Sequence, residues 1–153
     1  MGTQIQNDQL YIIPSAKVYR SSDQTYANGA TDPLSFDSEE WDTDSIHEGI
    51  TNPERLTCKT AGLYLITANI RFASNSTNKR QLRIKKVSGA TTTIIANESC
   101  DGNGYTSLSA SGIVRLEVND YIWVEPYQNS GGDLAVSYAS DQPASCSIVK
   151  LGN

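Results

Sequence analysis

Gly62-Leu-Tyr-Leu-Ile-Thr-Ala-Asn-Ile-Arg-Phe-Ala73 alternates without a break: Tyr64, Ile66, Ala68, Ile70 and Phe72 fall on one side of an extended chain, and Leu65, Thr67, Asn69 and Arg71 on the other. Successive side chains of a strand point to opposite faces, so this period of two predicts a long strand with one face buried. The pattern continues outward. After the polar loop 74–78 a strand is expected over about 80–87, a turn at Ser88-Gly89, and a return over 91–97. The loop Cys100-Asp-Gly-Asn-Gly104 leads into 105–118, where Leu108, Ala110, Gly112, Val114, Leu116 and Val118 share one side. Asn119-Asp120 reverses the chain into 121–127, where Ile122 and Val124 oppose Tyr121, Trp123 and Tyr127, so both faces of that strand carry apolar weight and both are expected to be covered. Short strands at 134–138, 145–151, 16–21 and 55–58 bring the expected count to eight or more. With helical periodicity almost absent and no fixed repeat, an all-β antiparallel sandwich follows.

A chain of 153 residues suits one domain with one core. The first fourteen residues, ending at Pro14, read as an arm outside a sandwich spanning 15–153, with Leu10, Tyr11, Ile12 and Ile13 as its apolar tip. The formal net charge of -5 opposes binding to phosphate backbones and anionic membranes. The one dense basic stretch, Lys79-Arg80 with Arg83, Lys85 and Lys86, alternates with Leu82 and Ile84 and reads as a solvated strand face, so no nucleic-acid groove is expected. No apolar run approaches the roughly twenty residues of a membrane helix, and the residues after Met1 do not form a basic-then-apolar leader, so neither membrane insertion nor a secretion signal is expected. Cys58, Cys100 and Cys146 form no Cys-x-x-Cys pair. They read as small buried strand residues, with a single bridge as the alternative.

Two segments carry a resemblance. Leu56-Thr-Cys-Lys-Thr-Ala-Gly-Leu-Tyr-Leu65 resembles the entry to a central strand in the complement C1q/tumour-necrosis-factor superfamily, and Leu116-Glu-Val-Asn-Asp-Tyr-Ile-Trp-Val124 resembles that family's turn and following strand. The likeness runs in order and spacing from about residue 15 to 151 and implies a jelly roll that forms homotrimers. Asn119 stands where the family usually has Gly, which Asn replaces best at positive φ. The last strand, 146–151, lacks the aromatic residue often found there, and no Gly-x-y stalk is present in the chain, so trimerisation is expected from the head and the arm. Phe36-Asp-Ser-Glu-Glu-Trp-Asp-Thr-Asp-Ser-Ile-His47, followed by Asn52-Pro53, resembles the bacteriophage and bacterial version of the domain.

Several residues could carry function. The aromatics Tyr64, Trp123, Tyr127 and Tyr138 fill the core or face partner subunits; Trp123 and Ile122 point to opposite faces, so the stripe containing Trp123 and Tyr127 is expected at a three-fold interface. Asp42, Asp44, His47 and Glu48 lie where oxygen ligands are dense and are the candidate calcium ligands, although the spacing does not match an EF-hand; the other reading is a solvated acidic loop without any cofactor. Loops carrying Asn75, Asn78, Asp101, Tyr105 and Asn129 are the candidate ligand surface. No catalytic residues are expected: the single histidine has no oriented nucleophile, Glu39 and Asp42 form a glycosidase pair only on paper, and Gly102 and Gly104 precede neither a helix nor a Lys-Ser/Thr. Together these features lead to a non-enzymatic homotrimer on the surface of a phage virion. It is expected to decorate the capsid through the arm, with capsid proteins as partners. The alternative is an extracellular or cell-surface receptor-binding head for a host glycan or protein.

Overall fold

The computed structural model describes residues 12–153. Its strands are β1 (Ser15–Tyr19), β2 (Gln24–Tyr26), β3 (Ser38–Asp42), β4 (His47–Glu48), β5 (Asn52–Thr57), β6 (Gly62–Phe72), β7 (Lys79–Ser88), β8 (Thr91–Asp101), β9 (Thr106–Leu116), β10 (Tyr121–Gln128), β11 (Leu134–Val136) and β12 (Ser145–Gly152). One sheet runs β2-β11-β6-β12-β1-β3, with β9 on the other edge of β6; the second runs β4-β5-β10-β7-β8. Every pairing is antiparallel.

The alternation in β6 is what joins the layers. Tyr64, Ile66, Ile70 and Phe72 bury fully or nearly so on the inner side, facing Leu82 and Ile84 of β7 and Ile122 and Val124 of β10 across the sandwich. Removing these apolar surfaces from water is the main favourable term, about 1.5–3 kcal/mol for each large side chain. Tyr64 therefore belongs to the core of a single subunit: it is 0% exposed, its hydroxyl donates to the Thr60 carbonyl, and no surface remains for a neighbouring chain to cover. This corrects the expected placement of Tyr64 at a subunit interface.

Several boundaries differ from expectation for identifiable reasons. The acidic segment is partly strand rather than loop, because Ser38–Asp42 pairs with β1 through its backbone while Glu39 and Glu40 stay exposed, and such pairing needs no apolar side chains. Val118 does not continue the buried row of β9; it sits exposed in the turn that Asp120 closes by accepting the Glu117 N–H at 2.9 Å. Asn119 occupies that turn at φ 74°, the conformation its place in the motif implied. Cys58 and Cys146 are buried and Cys100 is exposed, all three as free thiols, so no bridge forms.

The strand directions give the molecule two unlike ends. Ser15 lies opposite Val149, which lies opposite Leu65, while Tyr19, Ser145 and Asn69 form the corresponding row further along. The chain thus enters at Pro14 and leaves after Gly152 at one end. The connections 73–78, 102–105 and 129–133 gather at the other.

Candidate functional site

The three loops proposed from the sequence as a ligand surface meet at the end of the sandwich opposite Pro14 and Gly152. Their organiser is Arg80, which is 0% exposed. Its guanidinium donates to the carbonyls of Asn75 (3.0 Å), Thr77 (2.9 Å) and Lys79 (3.0 Å), and among the described residues no carboxylate pairs with it. Burial lowers its pKa, the direction expected when a cation loses solvent. The sequence expectation of a solvated basic face is corrected here, because alternation places Arg80 on the same side as Leu82 and Ile84, facing inward.

The loops are tied to one another as well. The Gly102 N–H donates to the Asn78 carbonyl at 2.6 Å, and the Asn75 N–H donates to the Gly104 carbonyl at 3.0 Å. Asn129 accepts the Lys79 N–H on its side chain at 2.7 Å, while its carbonyl accepts from the Asn78 amide at 3.0 Å. Gln128, another buried polar side chain absent from the sequence expectation, donates to the carbonyls of Tyr26 and Gly132 and accepts from Ser130. Glycine is required at 102, since a Cβ there would approach the Asn75 carbonyl to 2.6 Å. Asn75, Asn78, Asp101, Tyr105 and Asn129 are thereby brought together on a pre-organised surface. Tyr105 stands out from it, 64% exposed and packed under the Arg71 guanidinium at 5.0 Å.

Arg83, Lys85 and Lys86 of the same stretch are paired, while Lys79 is exposed. Glu125, buried between β7 side chains, lies 2.7 Å from the Lys85 ammonium and 3.1 Å from the Arg83 guanidinium, and Lys86 pairs with Asp120 at 2.8 Å. This network also covers the aromatic stripe. Tyr121, Trp123 and Tyr127 do point away from the core, with Ile122 inside, as the alternation predicts. Arg55 lies over Tyr121 at 4.5 Å, Tyr121 contacts Trp123 at 5.7 Å, and Arg83 lies over Tyr127 at 5.5 Å. Trp123 and Tyr127 are half-buried within one subunit, so burial of their rings does not require a second one.

The expected calcium ligands are not gathered into one site. Asp42 uses one carboxylate oxygen to accept the Asp44 N–H at 3.0 Å and the other to accept the His47 N–H at 2.9 Å. His47 points its two ring nitrogens at Glu39 (2.8 Å) and the Pro53 carbonyl (3.2 Å), and Glu48 pairs with Lys59 at 3.2 Å. Among the described residues no three His, Cys, Asp or Glu side chains converge as metal ligands. Glu39 and Asp42, the paper glycosidase pair, are spent on these contacts.

Apolar side chains are exposed elsewhere. Ile113 of β9 lies opposite Leu65 of β6, which lies opposite Val149 of β12, so the three form a row on the outer face. Ile113 is 60% exposed, and beside it Ile94 of the edge strand β8 is 52% exposed over an open groove of about 630 Å³. Tyr138, expected at an interface, is 41% exposed and borders a second groove bounded by β1 and the segment before β12. Of the arm, Ile12 and Ile13 are exposed, and Leu10 and Tyr11 lie outside the described residues.

No family model matches the chain, and no curated protein matches it. Solved structures do. The globular domain of zebrafish complement 1qA superposes with a TM-score of 0.64 at 20% identity, covering 92% of this chain and 99% of that one. Murine APRIL at pH 8.0 gives 0.71 at 14% identity over 92% and 100%, and Eiger TNF from S. frugiperda gives 0.70 at 14% over 92% and 94%. At such identities the likeness concerns architecture, and on that ground the chain has the C1q/TNF-like jelly-roll fold.

Proposed function

We propose that this chain is a non-enzymatic, self-associating head that is held at the end where Pro14 and Gly152 lie and binds at the opposite end through the loops fixed by Arg80. The observation that carries this reading is the separation of the two ends. The chain enters at Pro14, whose carbonyl accepts the Lys150 N–H, while the rigid polar loops with Tyr105 lie at the far end of the strands. Sandwich loops carry recognition when strands hold them in place. The only histidine and the candidate carboxylates are consumed by structural contacts, which favours binding over hydrolysis.

Self-association is assigned to the row Ile113–Leu65–Val149 and the neighbouring Ile94, in place of Trp123 and Tyr127. An apolar row beside an uncovered edge strand is a liability on a monomer. It has two non-equivalent parts, an edge and a face, which suits heterologous contacts that close into a ring, and the resemblance favours a ring of three.

On the surface of a bacteriophage particle this arrangement describes a capsid decoration protein anchored by residues 1–14. The exposed Ile12 and Ile13 at the anchoring end favour that reading, and the exposed Tyr105 favours the alternative of a receptor-binding head on a tail fibre or cell surface. Two measurements test the proposal. Light scattering of the full chain should give a trimer that Ile113→Glu converts to monomer with its circular dichroism intact; a parent monomer would end the self-association reading. Deleting residues 1–13 should abolish attachment to capsids without changing the oligomer, whereas unchanged attachment would leave the receptor-binding reading.

A further inference from the structure

The bonds that Arg80 makes also decide which way the neighbouring peptide groups face. The carbonyls of Asn75 and Thr77 accept from its guanidinium at 3.0 and 2.9 Å. Across a trans peptide the N–H of the next residue points opposite to the carbonyl, and no cis bond is present among the described residues. The N–H groups of Ser76 and Asn78 are therefore aimed away from Arg80, and both residues are exposed. Neither N–H donates to an acceptor among the described residues, whereas the Thr77 N–H between them is taken by the Asn75 side chain at 2.8 Å. Outward N–H groups on a turn that contains a left-handed residue, here Asn78 at φ 56°, favour an anion.

The charge at this place has the matching sign. Arg80 cannot be deprotonated, is 0% exposed, and has no acceptor for its Nε among the described residues. Lys79 is offset by Asp101, its cross-strand neighbour, and Asp133 is the other carboxylate on these loops. Against them stand Arg80 and Arg71, neither paired with a carboxylate among the described residues, so the cations Arg71, Lys79 and Arg80 outnumber Asp101 and Asp133. Tyr105 flanks the N–H groups, because the Gly104 N–H beside it donates to the Ser76 hydroxyl at 3.3 Å. An extended peptide needs a sheet edge for its backbone, and this ridge is loop. An exposed ring beside hydrogen-bond donors suits a sugar, and the surplus charge suits one that carries an acid. The ridge lies beyond the Phe72–Thr106 pair of the β6–β9 ladder. The apolar row crosses that ladder at Leu65–Ile113, so self-association through the row leaves the ridge open.

We propose that the ridge 75–78 with Tyr105 binds an acidic saccharide, its carboxylate or sulfate on the N–H groups of Ser76 and Asn78 and a sugar ring against Tyr105. The inference rests on the loop end being the binding surface and names the ligand class of that surface. The full-length chain would be applied to an array of neutral, sialylated, uronate-bearing and sulfated oligosaccharides, and the affinity for the best hit measured by calorimetry. Hits should be confined to acidic saccharides, with the carboxylated and sulfated arms identifying the group bound, and affinity should fall as salt is raised. The exposed side chain of Thr77 makes no hydrogen bond among the described residues. Thr77→Glu should therefore set a carboxylate between the two N–H groups and weaken binding about tenfold or more, and the uncharged Thr77→Gln should weaken it much less. Tyr105→Ala should cost about tenfold as well. Circular dichroism would verify that the variants are folded. An array without an acidic hit, or equal losses in Thr77→Glu and Thr77→Gln, would overturn the proposal. Neutral hits that Tyr105→Ala abolishes would overturn the acidic ligand and keep the loop end as the binding surface. Acidic hits that survive both Thr77→Glu and Tyr105→Ala would overturn the two together.

Discussion

The guanidinium of Arg80 and the carbonyl of Asn75 are 3.0 Å apart beneath a surface where, among the described residues, no carboxylate pairs with the charge. A buried arginine whose terminal nitrogens donate to three carbonyls acts as a tie, and cutting it leaves those acceptors unpaired. Arg80→Met, which keeps the apolar stem, should lower stability by about 1–3 kcal/mol in urea titrations. It should also speed amide exchange at 75–78 and 102–104 before anywhere else. Uniform exchange changes would show that the loops do not depend on this residue.

Gly102→Ala should act at the same place by crowding. The added methyl meets the Asn75 carbonyl, and overpacking of this kind costs about 1–3 kcal/mol. Gly131→Ala has open space around it but starts from φ 93°, so it should cost only the backbone strain, about 1 kcal/mol. Thermal melts of the two variants, compared side by side, check the ordering.

Acid should weaken the fold partly through Asp120. Burial opposes ionisation of this carboxyl, but Lys86, the Glu117 N–H and Ser88 together outweigh that and hold its pKa below the usual range. A carboxylate depressed in the folded state contributes stability that is present above its unfolded pKa and lost as pH falls through the folded value. Asp120→Asn should therefore be less stable than the parent at neutral pH and approach it at low pH. Parallel curves at all pH values would remove Asp120 from the acid response.

Thiol chemistry separates the cysteines. Cys100 is exposed, whereas Cys146 is buried and its pKa is pushed up to about 12 by desolvation. Only the thiolate reacts, so a disulfide reagent should label one thiol per native chain quickly and all three after unfolding. Rapid labelling of two or three without denaturant would contradict the burial of Cys58 and Cys146.

Asp42 should matter for structure rather than for ions. Asp42→Ala removes the acceptor of two backbone N–H groups and should cost about 1–2 kcal/mol, while a calcium chelator should leave the parent's melting midpoint in place. A midpoint that falls on chelation and returns with calcium would restore Asp42, Asp44, His47 and Glu48 as ligands.

Long strands with one buried face were readable from the alternation alone, which is why β6, β9, β10 and β12 emerged close to their observed limits. The short strands β2, β3 and β4 were not, because they are held by backbone bonds to neighbours and carry no apolar pattern of their own. Two misplacements were decided by parity. Tyr64 shares a side with Ile66, and Arg80 shares one with Leu82, so their inward direction was available from position; the chemistry of a phenol and a guanidinium argued the other way. The convergence of three loops on one surface depended on which strands pair, and residue spacing does not contain that. The groove beside Tyr138 likewise joins β1 to a segment more than a hundred residues away, brought there by β12.

The position of β12 also governs how the molecule can close. It lies between β1 and β6, so until Ser145–Gly152 docks, β1 and β3 have no link to the rest of their sheet. Its pairing with β1 joins Ser15 to Val149, residues more than a hundred positions apart, and such contacts form late because the loop they close is long. Loss of this one strand would open the sheet down its middle, which makes these eight residues as decisive for the fold as any part of the core.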